Sequence, residues 1–417
     1  MDDDRGRHTD GSEAAMTRMT VAELTPISYH HATMPAEVHD IIRQARANGP
    51  LALGPYGPEI LGYELVRAVL RDERFEVPRG MFLAAQGITS GPLWERANNT
   101  LVGLGGPAHL RLRRLVARAF IPKAAERLRA TCVDIVTELV ARCVPAGRCD
   151  VVADLAVPYA VPVICALLGA PARDWARFSA WADEIFKMFS WDLGEHAEAV
   201  ETAWKELDAY VDDMVVRRRH TLTDDLLSDL IRAEDDGDRL THHELLMLAG
   251  GVLLAGTDTT RNQLAAAVET LCDHPREWDL LAEHPELAPT FVEELMRFSP
   301  ATLGTVRIAK EEVEIAGVTI PAGTLVTVNT AAANRDPQVF ADPDRFDVHR
   351  RASPPMLGFG GGLHYCLGVH LARVELAEAL CVITAAMRHP HRDGPSPWKP
   401  MTGITGPATL PLAFDAA

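Results

Sequence analysis

The segment Phe359–Gly368 reads FGGGLHYCLG and is followed directly by VHLARVELAEAL. Apolar residues at 367, 371, 374, 377 and 381 step by four and three. That spacing predicts a helix with one buried face, starting immediately after Cys366. A thiol at a helix N-terminus feels the positive end of the macrodipole and nearby free N–H groups, and both favour the thiolate. The glycines at 360, 361 and 362 strip the preceding loop of side chains, where a flat ligand would need the backbone to come close. A single thiolate on a rigid loop, with a buried helix elsewhere to cover the opposite side, is what an axial haem ligand requires.

Such a helix is legible upstream. The pattern from Asp238 to Cys272 predicts one helix of about 35 residues, or roughly 50 Å at the usual rise. Its middle, LLMLAGGVLLAG at Leu245–Gly256, is apolar on every side, which marks a helix buried all round. Thr257, Asp258, Thr259 and Thr260 follow at once. A carboxylate in that position costs on the order of several kcal/mol unless it is used or paired.

The rest of the chain sets the frame. Its 417 residues are 47% hydrophobic and 24% charged, an ordinary globular composition that excludes disorder, collagen and coiled coil as the main architecture. The formal charge of −17 argues against a whole-surface nucleic-acid binder, which should be basic. Seven cysteines, an odd number without CxxC or His/Cys zinc spacing, support neither a disulfide scaffold nor a zinc module. They fit a reducing, cytoplasmic setting.

Residues 1–20 are polar and acidic without a signal-peptide core, and read as a disordered tail or an expression remnant ahead of one domain over 21–417. The apolar run Leu245–Gly256 is too short to cross a bilayer, so the expectation is a soluble protein without a membrane span. Residues 35–300 read as successive helices, among them Ala36–Ala47, Pro107–Phe120, Ala124–Cys143, Pro171–Phe189 and Ala197–Arg219. Strand signals lie at Leu51–Tyr63, Arg307–Val328 and Leu410–Phe414, and Asp336–Pro355 should be irregular. The expected fold is mainly α with small β-sheets.

Phe359, Gly360, Gly362, His364, Cys366 and Gly368 together resemble the haem-binding signature FGxGxHxCxG of the cytochrome P-450 family. Three further likenesses follow in the family's order. The run from Ala255 and Gly256 to Thr260 resembles its oxygen-binding groove, Glu294 and Arg297 resemble its ExxR pair, and His109 and Arg113 resemble its first propionate site. Before His109 the family often carries an acid and two prolines, where this chain has Gly105-Gly106-Pro107. The likeness spans roughly residues 35–415, and the N-terminus is closer to the bacterial branch. It implies a single fold with haem b buried between the long central helix and the cysteine loop.

The resemblance assigns roles. Cys366 becomes the proximal iron ligand, favouring O–O cleavage, and Phe359 shields its sulfur. His109, Arg113, Arg307 and His364 become candidates for charge-assisted bonds to the haem propionates. Gly256 leaves room for dioxygen beside the helix, and the Thr259 hydroxyl can bond back to the Ala255 carbonyl and bend it. Asp258 and Thr259 supply the carboxylate and hydroxyl of an acid–alcohol pair for proton delivery. Glu294 and Arg297 join Arg345 in a buried structural network.

The expected reaction is a monooxygenation, using O2 and two electrons on a small hydrophobic substrate, with NAD(P)H acting indirectly through redox partners. Two rivals remain: a peroxide-driven haem-thiolate enzyme, and a haem- or ligand-binding protein without turnover. Asp258 and Thr259 argue against both. Between Pro107 and Arg129 there are seven basic residues and one acid, a local reversal of charge. Arg111, Arg114, Arg118, Lys123 and Arg127 of this stretch read as a docking patch for a ferredoxin-type donor. Six of 25 aromatic residues fall within Trp175–Trp191, several of them at helical spacing, as core packing would give. The resemblance, however, places the segment in the family's roof over the distal pocket, and part of the cluster is expected to line the substrate entrance. Phe186, Val252, Ala255, Leu303 and Ile404 are the pocket candidates, with the Gly80–Leu104 loop nearby.

Overall fold

Proline opens many of the helices, where its missing N–H costs nothing, as at Pro35, Pro92, Pro107, Pro122 and Pro275. The computed structural model describes residues 19–29, 31–80, 83–189, 193–235, 240–350, 354–401 and 403–416. The helices that build the site are α1 (Tyr63–Val69), α2 (Gly106–Val116), α3 (Val157–Leu168), α4 (Trp175–Ile185) and α5 (Leu193–Arg219). Four more complete it: α6 (His242–Ala255), α7 (Asp258–Cys272), α8 (Ala288–Phe298) and α9 (Val369–Ala386).

The sequence pattern merges elements that the backbone separates. Ala124–Cys143 is two helices, Pro122–Arg127 and Arg129–Cys143, divided at Leu128. The expected central helix over Asp238–Cys272 is also two, α6 and α7, divided at Gly256 and Thr257, with its first two residues outside the described ones. A capping box starts α6: the Thr241 hydroxyl accepts from the Glu244 N–H while the Glu244 carboxylate accepts from the Thr241 N–H.

The main core surrounds α3, α6, α7 and α9. Asp150 caps the turn that leads into α3, accepting from the amides of Val152 and Ala153. Val151–Leu168 is long and apolar enough to cross a membrane, with mean hydropathy 2.1, and exceeds the run at Leu245–Gly256. Two thirds of it is buried inside the fold, so its apolarity is that of a core helix.

Among the described residues, three small sheets flank the helices. The largest joins β1 (Leu51–Gly54), β2 (Gly57–Ile60), β3 (Phe75–Glu76), β4 (Thr305–Ala309) and β5 (Leu325–Val328), in the order β1-β2-β5-β4-β3. Only the β2–β5 pairing in it is parallel. The second sheet pairs Pro411–Ala416 with Met387–Arg392 and Arg148–Asp150. MRHPHR at 387–392 carries no strand signal in sequence, because its charges and proline hide the alternation. In the third, Met19–Thr20 pairs with Val318–Thr319, so the last two residues assigned to the disordered tail belong to a sheet.

Candidate active site

Cys366 sits on a loop closed by its own backbone, its N–H donating to the Phe359 carbonyl at 2.9 Å. Gly360 and Gly362 hold left-handed φ of +72° and +64°, and a Cβ on Gly362 would lie 2.2 Å from the Leu70 carbonyl oxygen. The loop is therefore glycine-rich first because it folds tightly against the end of α1. Helix α9 begins at Val369, with Gly368 as its cap. Burial pushes the Cys366 thiol up; the Gly368 N–H, Arg113 and Arg373 pull it back towards thiolate. Phe359 is buried, and the Arg373 guanidinium lies 5.1 Å from its ring centre while pairing with Glu293 of α8. Arg373 has no spacing that would single it out in sequence.

Beside this loop four basic groups converge. The His109 and His364 rings lie 4.4 Å apart, Arg113 donates to the Tyr365 carbonyl, and Arg307 is buried in the middle of β4. His109 Nδ1 is buried without a hydrogen-bond partner among the described residues. Burial pushes the His364 pKa down to about 3, helped by His109, Arg307 and Arg113. Burial also lowers Arg307, His109 and Arg113. Four basic groups, His109 and Arg307 buried and Arg113 and His364 half-buried, that disfavour one another's positive charge make a donor set suited to a polyanionic ligand. A haem with two propionates fits this cluster, and the Cys366 thiol beside it would hold the haem iron. Added Cβ atoms at Gly368 and Gly251 would meet no protein atom within 4 Å.

The break between α6 and α7 is built from hydroxyls. Thr257 Oγ1 donates to the Leu253 carbonyl at 2.6 Å, and Thr259 Oγ1 to the Ala255 carbonyl at 2.9 Å, the back-bond expected from the sequence. Gly251, Ala255 and Thr259 share a helix face, and Ala255 is exposed although its helix is buried. Gly256 also has a packing reason: its missing Cβ would lie 2.7 Å from Ile164 Cδ1, so the glycine admits α3. Asp258 is 6% exposed and not simply hydrated. Its Oδ1 accepts from Arg261 Nε at 2.6 Å and Asn262 Nδ2 at 3.0 Å, with Lys399 Nζ at 3.8 Å.

Glu294 and Arg297 form a two-pronged buried pair at 2.7 and 2.8 Å. Arg297 also donates to the carbonyls of Asn334, Pro343 and Arg345. The third cation is Arg350, 3.4 Å from Glu294, not Arg345. The Arg345 side chain is 65% exposed and pairs with Asp347, leaving only its carbonyl in the network. In an irregular segment no periodicity says which arginine turns inward.

The pocket candidates fall in two places. Val252 and Ala255 lie on α6, whereas Leu303 and Ile404 lie on segments joined by the Thr302–Ile404 bridge and the Thr405 N–H bond to the Ala301 carbonyl. Gln263 ties these segments to α7, donating to the Ser299 carbonyl at 3.0 Å and accepting from the Ala301 N–H at 2.9 Å. Gln263 is buried on α7, beyond the break after Ala255, and no spacing singles it out in sequence.

The aromatic cluster divides. Phe178 and Trp181 are buried against Tyr210 of α5, with Trp181 Nε1 bonded to Glu206, so they hold the roof helices together and do not line an entrance. Phe186 is half-buried against the main core; the Phe189 side chain and Trp191 lie outside the described residues. In the basic stretch, Arg111 pairs with Glu244, Arg127 with Asp224, and Arg129 with Glu126 and Glu378. A cleft of about 210 Å³ lies between Pro92–Asn99, a helix within the Gly80–Leu104 stretch, and α5; none of the five named pocket candidates lines it.

A mainly helical fold with a thiol at the head of a buried helix, and a cluster of basic groups beside it, defines a haem-thiolate protein. The chain belongs to the cytochrome P450 family, whose sequence model matches residues 174–283 and 277–389. It is 41% identical over 369 residues to a mycinamicin IV hydroxylase/epoxidase of Micromonospora griseorubida, covering 86% of this chain and 91% of that protein. It is 35% identical to a luteothin monooxygenase of Streptomyces thioluteus, covering 90% and 93%. The crystal structure of CalO2 superposes with a TM-score of 0.88 at 30% identity, covering 94% of this chain and all of that one. The fold is thus the P450 fold, and the chain is a monooxygenase of the bacterial type.

Proposed function

We propose that residues 19–417 form one soluble, cytoplasmic haem-thiolate domain that inserts one oxygen atom of O2 into a small hydrophobic substrate, with electrons from a ferredoxin-type donor. The observation that carries the reading is the convergence of His109, Arg113, Arg307 and His364 beside Cys366. Cys366 would hold haem iron through sulfur, those four groups would take the propionates, and Phe359 would keep water from the sulfur. Haem bound in this way supplies oxygen activation and electron transfer. Thr259 holds a hydroxyl on the face shared with Ala255, and Asp258 holds a carboxyl one residue away, so the chain can carry protons from solvent inward. Val252, Ala255, Leu303 and Ile404 would present an apolar surface to the substrate, with Phe186 at its edge.

Electrons would enter over α2 and the turn after it. Arg114, Arg118 and Lys123 are exposed, with Arg111 and Arg127 beside them in ion pairs. Leu110, Ile121, Leu363 and Tyr365, between 37% and 48% exposed, supply an apolar centre within this cationic surface. An acidic donor is steered there by charge, so reduction should slow as salt rises. The testing experiment supplies the haem-loaded protein with ferredoxin, its reductase, NAD(P)H and isotopically labelled dioxygen over a panel of hydrophobic compounds. A product carrying one labelled oxygen per turnover is expected. Product with peroxide but none with the donor chain would favour the peroxide-driven reading, and tight ligand binding without product would favour a binding protein.

A further inference from the structure

Glu269 stands on α7 ten residues beyond Thr259, roughly 15 Å along the helix axis. It is 5% exposed, and a carboxylate so buried is tolerated only where donors surround it. Its donors among the described residues come from one short stretch of chain. Oε1 accepts from Arg392 Nη1 at 2.8 Å and from Ser396 Oγ at 2.7 Å, and Oε2 accepts from Trp398 Nε1 at 2.7 Å. Arg392 has a second anchor in Asp273, at 2.5 Å. The Ser396 hydroxyl and the Trp398 indole N–H, among the described residues, bond to Glu269 alone.

These two residues open a hairpin that lies along α7. Trp398 bridges Pro407, the Lys399 N–H donates to the Gly406 carbonyl at 2.9 Å, and the Ala408 N–H donates to the Pro397 carbonyl at 2.7 Å. A Cβ on Gly406 would lie 2.8 Å from Asn262 Oδ1. The returning arm therefore rests on α7 seven residues before Glu269, on the same helix face. At its far end the hairpin carries Ile404, which bridges Thr302 and so stands next to Leu303. Backbone bonds hold the tip, whereas charge-assisted bonds to one side chain hold the root. Because the two arms are bonded to each other, a change at the root moves the tip.

We propose that Glu269 is a positioning residue for the substrate pocket: by holding Ser396 and Trp398 against α7, it sets how closely the Ile404 turn approaches Leu303, and so how firmly the pocket grips a bulky ligand. This rests on the monooxygenase reading above. Glu269 acts only through the hairpin and touches no reacting atom.

The experiment compares haem-loaded, full-length wild type with Trp398→Phe, Glu269→Gln and Glu269→Ala. Each is titrated with imidazole, which needs little beyond the iron, and with clotrimazole, a bulky imidazole that fills the pocket, following the shift of the main haem band. Trp398→Phe keeps the ring and removes one donor. It should weaken clotrimazole about threefold or more while leaving imidazole within about 1.5-fold. Glu269→Ala should weaken clotrimazole further, and Glu269→Gln, which keeps an acceptor oxygen, should fall between it and wild type. Amide hydrogen exchange over 396–408 should rise about threefold or more in Trp398→Phe, with exchange over 387–392 unchanged because Arg392 keeps both its acids.

An unchanged clotrimazole affinity in Trp398→Phe and Glu269→Ala would overturn the proposal, even if the hairpin exchanges faster. So would equal weakening of both ligands, which marks damage at the iron, or a lower melting temperature with the ratio of the two affinities intact, which marks a purely structural role. A wild type that holds no haem strikes the monooxygenase reading instead. Exchange still judges the anchor there: a rise confined to 396–408 supports it, and unchanged exchange overturns it.

Discussion

Glu375 offers a test of how α9 and α7 are joined. It lies on α9, nine residues past Cys366, and is 2% exposed. Burial raises its pKa from 4.5 to about 8, and the hydroxyl of Thr260 on α7 offsets only part of that. The native protein thus keeps a proton on Glu375 at neutral pH, whereas the unfolded chain loses it near 4.5.

The folded value is the raised one, so this group's stabilising contribution is complete below pH 4.5 and is lost as pH rises through about 8. Each pH unit in that window costs about 1.4 kcal/mol, so between about pH 6 and pH 8 the loss is on the order of 2–3 kcal/mol. Glu375→Gln keeps the shape and removes the titration. Its stability relative to wild type should therefore increase as pH rises across this window, measured as paired melting temperatures of the two proteins at several pH values. A difference that stays flat from about pH 6 to pH 8 would refute the reasoning and mean that Glu375 is ionised in the folded protein.

Two other substitutions read the packing directly. Arg350→Ala should cost about 1–3 kcal/mol in urea unfolding, because it strips a partner from the buried Glu294, while Arg345→Ala at an exposed side chain should cost under about 0.5 kcal/mol. Gly256→Ala should cost about 1–3 kcal/mol through its clash with Ile164, and Ile164→Val in the same chain should recover part of that in a double-mutant cycle.

What could be read in advance was local. The cysteine loop, the Thr259 back-bond and the Glu294–Arg297 pair all depend on spacings of a few residues, which the chain displays openly. The division of the central helix could not be placed, because Gly256 answers to Ile164 on α3, far away in sequence. Arg261 meets Asp183 across 78 residues, and Arg350 replaces Arg345 through folding of an aperiodic segment. Which aromatics of the roof segment pack inward could not be read for a related reason. Helical spacing shows that Phe178 and Trp181 face something, but not that it is Tyr210 of α5 rather than a ligand.

The central claim is that Cys366 holds haem iron as a thiolate, and the absorption spectrum of the reduced, carbon-monoxide-bound protein tests it most directly. For wild type beside Cys366→Ser, a strongly red-shifted main band present in the first and lost in the second is expected. A well-folded wild type with an unshifted band, or with no haem band at all, would contradict the account.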